Sequence, residues 1–294
     1  MMKNLLTIAL VLVTTISFAQ TFVSTTPENK NVVLEEYTGI YCVWCPAGHV
    51  IGASMHAANP NDVFLINVHT GGFANPNGPS DPNFNSDFGA QLATNANCTG
   101  YPTGSVNRRI FPVNPGGTAM SRSDWDASAQ TVLAEPSPVN IGAQASYDMA
   151  TGILTVDVET YYTQTVTNTN VLHIAVVQNN MPGPQTGAVA NGDPASIISG
   201  PWNPTYNHQH VLRHFMTGAN GLEYNVTTAG TFVPQQVTWN IPSPFTLAQG
   251  GSGYIPDIDP TNLAIIAYID EGGSNVLTGV EAAVVPIFTN EFDA

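Results

Sequence analysis

Charge is scarce in this 294-residue chain, and positive charge scarcest. Only 9% of residues are charged, and just Lys3, Lys30, Arg108, Arg109, Arg122 and Arg213 are basic, against 21 acids. Soluble proteins ordinarily carry about 25% charged residues, so this surface must be solvated largely by Asn, Thr, Ser, Gln and Gly. A formal charge of −15 argues against nucleic acid as a partner, because that binding relies on neutralising phosphates with Lys and Arg. It equally disfavours docking on anionic lipid. The acidity reads as a solubility feature rather than a calcium site, since no EF-hand-type loop of alternating acidic ligands occurs. Arg108-Arg109 is too small a cluster to form a basic patch. Cysteine is scarce too: Cys42, Cys45 and Cys98 are the only three.

Long apolar runs are missing after the first residues, so no later segment is expected to cross a bilayer as a helix. The start itself differs. Lys3 precedes an apolar run from Leu5 to Val13, and Ser17-Phe18-Ala19 places small residues before Gln20. This pattern predicts a cleavable secretory signal over residues 1–19. With no cysteine directly after the cleavage point, the first being Cys42, no lipid anchor is expected. Export also makes disulfide chemistry reasonable.

What is present is Cys42-Val43-Trp44-Cys45-Pro46, where the apolar run Val32, Val33, Leu34 leads into a helix. A thiol at a helix start faces unpaired backbone N–H groups and the positive end of the helix dipole, which stabilises its thiolate. A second thiol one turn away can resolve a mixed disulfide, as exchange chemistry requires. Cys42, ahead of the helix, is expected to be the more exposed and so the attacking thiolate; Cys45 would resolve. The same spacing also suits a structural disulfide. A zinc site of Cys42, Cys45, His49 and Cys98 is a further alternative. Cys98 leaves an odd count: a buried thiol, a third redox partner or an intermolecular bridge. His208, His210 and His214 share parity on a presumed strand and could face one copper or zinc ion, or be ordinary imidazoles. His69 could face the dithiol from its strand end. No resident metal or cofactor is expected.

The chain changes character near Pro136-Ser137-Pro138. Before it, residues 22–136 read as α/β: strands over Val32–Thr38 and Val63–His69, a helix from Cys45 to Ala58, and a helix near Ser86–Asn95. A strand follows near Ser105–Arg109, then a helix capped by Ser123. After it, residues 138–288 read as period-2 strands at Ile153–Glu159, Val171–Val177, Gln235–Ile241, Leu263–Ile269 and Val276–Val285. Several strands with turn chemistry and no intervening helices predict an immunoglobulin-like β-sandwich. Met181 to Tyr206, rich in Pro and Gly, reads as one long loop.

Strand, C-x-x-C at a helix start, strand, helix and an X-Pro-Thr loop before another strand resembles the thioredoxin fold. That resemblance implies three further roles. Glu36, six residues before Cys42, would be a buried acid moving protons for Cys45; Glu35, on the opposite face, would not. Pro102 in Tyr101-Pro102-Thr103 would be a cis-proline lying against the disulfide. Tyr101, Pro102 and Trp44 would border the partner-binding face. Leu34-Glu35-Glu36-Tyr37-Thr38-Gly39, Cys42 to His49, Tyr101-Pro102-Thr103-Gly104 and His208-Gln209-His210-Val211-Leu212-Arg213 are similar to the Omp28-related outer membrane proteins of Bacteroidetes. That family implies a thioredoxin-like domain before a β-sandwich, in the cell envelope. The partners implied are thiol- or disulfide-containing envelope proteins, with peripheral association at the outer membrane. The Val-Trp pair between the cysteines departs from thioredoxin's Gly-Pro. The competing class is a non-catalytic surface or adhesion protein on the same scaffold.

Overall fold

Two parallel strands joined through a helix are the first regular elements among the described residues. The computed structural model describes residues 22–187, 202–225, 227–248 and 250–288, so the expected signal segment 1–19 lies outside the described residues. Strand β1 (Val32–Thr38) pairs in parallel with β2 (Val63–His69), from Val32 opposite Val63 to Thr38 opposite His69. The helix α1 (Cys45–Ala58) makes the crossover, with Pro46 in its first turn, where a missing N–H costs nothing. Both strands are buried along their whole length, as parallel strands covered on two faces must be. Val32, Leu34, Val63 and Leu65 meet Met55 and Trp125 on one face. Val33, Tyr37, Phe64, Ile66 and Val68 enter a separate core on the other.

The short helix α2 (Gly89–Asn95) is followed by β3 (Thr103–Val106), which runs antiparallel to β1, and then by β4 (Ala119–Ser121). A 3-10 turn at Arg122–Asp124 precedes α3 (Trp125–Leu133). Ser123 therefore does not cap α3: it lies inside that turn, and Asp124 holds the cap position without a side-chain hydrogen bond. The strand expected to continue to Arg109 stops at Val106, because Asn107 and Arg108 turn the chain at positive φ.

Beyond Pro138 the regular elements among the described residues are strands apart from one 3-10 turn at Pro260–Asn262. They are β5 (Val139–Asp148), β6 (Ile153–Tyr162), β7 (Asn170–Gln178), β8 (Met181–Thr186), β9 (Trp202–His208), β10 (Val211–Phe215), β11 (Leu222–Tyr224), β12 (Phe232–Asn240), β13 (Leu263–Glu271) and β14 (Ser274–Ile287). Strand β14 pairs antiparallel with β13 over its first part and parallel with β5 over its last, so it passes between layers. Leu172, Ile174, Val176, Ile265 and Ile269 face Leu154, Val156 and Val158 across one core. The alternate residues Ala175, Val177, Ile266 and Tyr268 pack on Val33, Tyr37 and Phe64.

One mixed sheet of twelve strands runs through both halves, because β10 pairs with β2 through Val211 and Asn67 and with β7 on its other edge. The structure is thus mostly β around a β-α-β unit of thioredoxin-like order.

The segment 181–206 is not one loop. Within it β8 and β9 form an antiparallel pair, a two-stranded sheet of its own; residues 188–201 lie outside the described residues. Pro182 and Pro184 do not prevent this, since such a pair has free edges where a missing N–H breaks no ladder. Met181 packs with Ile40, Phe84 and Val211, which seats the hairpin beside the start of α1.

Candidate functional site

Cys42 and Cys45 are joined in a disulfide at the start of α1, with Cα atoms 5.4 Å apart. Cys42 sits in the turn before the helix and Cys45 is its first residue. Cys42 is barely the more exposed of the two: relative exposure is 2% for Cys42 and 0% for Cys45, so both are buried. The β8–β9 hairpin is fastened against this turn. Gln185 Nε2 donates to Cys42 O at 3.0 Å and to Gly39 O at 3.3 Å, while Thr186 N–H donates to Ile40 O at 2.8 Å. Gly187 presses on the Val43 backbone so closely, at positive φ, that a Cβ there would overlap the Val43 carbonyl.

Beneath the helix lies Glu36, on the alternate face of β1 from Glu35. A Cβ on Gly48 would overlap Glu36 Oε1 and stand 3.1 Å from the Pro102 ring, so this helical glycine is what lets carboxyl and proline close on α1. Gly48 is one turn from Cys45 on the same helix face. Tyr101-Pro102 is cis, as the resemblance implied, and Pro102 is buried. The structure therefore brings Cys45, Glu36 and Pro102 to the same turn of α1.

Trp44 stands at the edge, 39% exposed, with the Arg122 guanidinium 5.3 Å over its ring. Tyr101 turns toward Phe73, with ring centroids 5.8 Å apart, and burial and the nearby Cys98 thiol push it up to about 12. Cys98 is free and only half-buried; its Sγ lies 3.4 Å from Gly100 O and 3.3 Å from Thr103 Oγ1.

Burial pushes the Glu36 carboxyl well above the ordinary carboxylate range, against the smaller opposing pull of Arg122. Its Oε1 has no hydrogen-bond partner among the described residues. The nearest ionisable nitrogen is His49 Nε2 at 3.8 Å. His49 is fixed at both ring nitrogens, Nε2 to Thr38 Oγ1 and Nδ1 to the Tyr206 hydroxyl, each at 2.9 Å. Burial first, then His208 and His210, pushes His49 down to about 3. It also lowers His208 to about 4 and holds His69 well below the ordinary imidazole value. Tyr206, His208 and His69 meet edge to face in sequence, with centroids 4.8 and 5.3 Å apart.

The three histidines with shared parity do not share a face. His208 ends β9 and points into this cluster. His210 occupies a turn at positive φ, beside His56. A bulge in β10 sends His214 onto Trp239 at 4.2 Å. Among the described residues no group of three or more His, Cys, Asp or Glu is placed to hold a metal. The Cys42–Cys45–His49–Cys98 zinc arrangement is not formed, because the two thiols are bonded to each other and both His49 nitrogens are engaged.

The sequence did not point to Tyr206, Gln185 or the partnering of His49. Tyr206 lies 157 positions from His49, on a segment whose prolines masked its strand.

No helix among the described residues is long and apolar enough to cross a membrane, which says nothing of a strand-built barrel. No curated protein matches the chain. Among solved structures, HBP35 of Porphyromonas gingivalis is similar in fold, with a TM-score of 0.66 at 16% identity, over 91% of this chain and 80% of that one. A structural-genomics protein of Agrobacterium tumefaciens aligns with a TM-score of 0.46 at 11% identity, over 91% of this chain and 98% of that one. The outer membrane protein Omp28 family matches residues 89–286, a range that begins after the two bonded cysteines. That match spans well over half of the sequence, and the chain belongs to the Omp28 outer membrane protein family.

Proposed function

We propose that this is an exported cell-envelope protein that exchanges disulfides through Cys42 and Cys45. One observation carries the reading: the bonded pair opens α1, whose next turn rests at Gly48 on the buried Glu36 carboxyl, with Pro102 alongside. In this reading Cys42 is attacked or attacks, Cys45 leaves or resolves, and Glu36 exchanges a proton with Cys45. Tyr101, Pro102 and Trp44 border the face that an extended partner would use, the partner being a thiol- or disulfide-bearing envelope protein. The reaction needs no cofactor. Residues 1–19 act as the signal segment, and the mature protein associates peripherally with the outer membrane. Residues 22–136 form the thioredoxin-like unit and 138–288 an immunoglobulin-like unit that positions it.

A second reading has its own observation. Both cysteines are buried and the β8–β9 hairpin is fastened to the Cys42 carbonyl, as suits a purely structural disulfide in an adhesion or binding protein. Titrating the disulfide against glutathione buffers, with alkylation of the released thiols across pH, separates the two. Exchange predicts reversible opening within the envelope range and a Cys42 thiol titrating below the ~8.5 of free cysteine. A bond that opens only on unfolding, or two thiols of ordinary reactivity, favours the structural reading.

A further inference from the structure

Behind α1, away from Trp44 and Tyr101, lies a groove of about 450 Å³. Its walls are Val50, Ala53 and Leu65 on the apolar side and His49, Tyr206 and His210 on the polar side, and Glu36 reaches its inner end. The carboxyl is itself 1% exposed, so it meets the groove through its neighbours rather than through open solvent. The one ionisable side chain that touches the groove, anchors to the Glu36 strand and stands within 4 Å of the carboxyl is His49.

We propose that His49, held by Tyr206 and Thr38, relays protons between this groove and Glu36, so that the buried acid is recharged from behind the helix while a protein partner occupies the front. The proposal rests on the disulfide-exchange reading and gives it a second entrance.

The step balances as follows. A dithiol reductant supplies a thiolate that bonds to Cys42 Sγ; the Cys42–Cys45 bond breaks and its electron pair leaves on Cys45 Sγ. The Glu36 carboxyl gives its proton to that sulfur. His49 Nε2, 3.8 Å from Glu36 Oε1, then exchanges its Thr38 bond for one to the newly charged carboxylate and releases its proton there, while Nδ1 takes the Tyr206 hydroxyl proton; Tyr206 takes one from groove water, and the buffer neutralises the hydroxide left. The second thiol of the reductant loses its proton to the buffer and attacks the mixed disulfide; the electron pair leaves on Cys42 Sγ, which takes a proton from solvent, and the reductant is left as its own disulfide.

The surroundings suit a relay that carries no standing charge. His49 is faced by Glu36 and Thr38 from β1, by Tyr206 and His208 from β9, by His210 from the following turn and by His69 from β2, while Arg122 acts on Glu36. Burial among the neighbouring imidazoles keeps the ring neutral at physiological pH. A neutral imidazole can accept at one nitrogen as it donates at the other; a cation can only donate. The Tyr206 hydroxyl and Thr38 Oγ1 hold the ring plane, which sets Nδ1 toward Tyr206 and leaves Nε2, bonded to Thr38, 3.8 Å from the carboxyl.

The test is the rate of reduction of the Cys42–Cys45 disulfide by dithiothreitol in the full chain, from pH 5 to 9, for the wild type, His49→Ala, His49→Gln and Tyr206→Phe. Relay predicts that His49→Ala slows reduction at least about tenfold near neutral pH, in the range of lost general acid–base help. Imidazole in solution should restore most of that rate by entering the groove. His49→Gln keeps the shape and a hydrogen bond but cannot shuttle, so it should be slow and should not respond to imidazole. Tyr206→Phe should show a smaller loss and an altered pH profile. A His49→Gln protein that matches the wild-type rate and pH profile overturns the relay and leaves His49 a structural residue; so does a slow His49→Ala that imidazole leaves unchanged. If His49→Ala does not fold, the Gln variant alone decides. A wild-type disulfide that dithiothreitol cannot open in the folded protein overturns the exchange reading itself, which is a separate result.

Discussion

The side-chain amide of Gln185 donates a 3.0 Å hydrogen bond to the carbonyl of Cys42, 143 positions away in sequence. The same nitrogen also reaches Gly39 O, so one buried side chain fastens the β8–β9 hairpin over both ends of the turn that carries the disulfide. The turn that carries Cys42 is therefore fastened by the second half of the chain.

Loosening that fastening should expose the bond. Gln185→Ala removes the donor and leaves the Cys42 carbonyl to water or to nothing, at a stability cost of about 1–3 kcal/mol. Reduction by a bulky thiol such as glutathione should accelerate by roughly an order of magnitude, which corresponds to ~1.4 kcal/mol less opening free energy. The rate ratio between glutathione and a small thiol should also shrink. Unchanged rates for both thiols would mean that the hairpin does not limit access.

Glu36 should cost stability at neutral pH. Its folded pKa is raised, so between the unfolded and folded values the unfolded chain ionises first and the native state is penalised as pH rises. Glu36→Gln, neutral at every pH, should therefore melt higher than wild type at pH 7–8. The difference should vanish below about pH 4, where the unfolded carboxyl is protonated too. Thermal melts across that range check it. A variant less stable at pH 7 would show that the carboxylate is paired in the native state.

The buried imidazoles predict the opposite slope at acid pH. His49, His69 and His208 have depressed folded values, so between roughly pH 4 and 6.5 the unfolded state binds more protons and stability rises with pH. Each such proton is worth up to ~1.4 kcal/mol per pH unit in that window. Urea titrations from pH 7 down to pH 5 should show a loss that His208→Asn reduces. No loss across the window would mean that these rings take protons while folded.

Much of this architecture was legible along the chain. The ends of β1, α1 and β2 follow directly from the apolar runs and from Asn59-Pro60, and alternation on β1 separated Glu36 from Glu35. The cis-proline and the order of elements came through the resemblance. The missing parts were long-range. Nothing near Cys42 announces Gln185, and nothing near His49 announces Tyr206. The composition break at Pro136-Ser137-Pro138 is no open linker, since Ser137 is buried and bonds to Val139 O and Glu28 O. Parity failed for the later histidines because His210 turns at positive φ and β10 carries a bulge.

Arg108, set aside as part of a small basic pair, instead ties the halves together. Its guanidinium holds Glu35 at 2.7 Å, Tyr268 OH at 2.6 Å and Asp270 at 3.3 Å, and Asp270 also meets His173 at 2.9 Å. Arg108→Met strands two buried acids and should destabilise by about 3–5 kcal/mol. Adding Glu35→Gln should recover part of that loss. Urea denaturation of the single and double variants measures both, and a Met variant within 1 kcal/mol of wild type would place this cluster in contact with water.

Covalent trapping asks the exchange question inside the envelope. If Cys42 forms the bond to a partner and Cys45 releases it, Cys45→Ser keeps the nucleophile and removes the resolving thiol, so mixed disulfides should accumulate and disappear on reduction. Cys42→Ser should trap nothing, since Cys45 is buried within the first turn of α1. The experiment belongs in a Cys98→Ser background, because Cys98 is free and half-buried and could trap on its own account. The hairpin adds a second arm: Gln185→Ala combined with Cys45→Ser should raise the yield of complexes if cover limits access. Pro102→Ala should change which partners are caught more than how many, because its ring lies against α1 beside the site where an extended chain would pair. An empty trap in both Cys45→Ser and the double variant, in cells where an unrelated envelope oxidoreductase trap succeeds, would make the Cys42–Cys45 bond a structural staple. Complexes that survive in Cys42→Ser would instead move the nucleophile to Cys45.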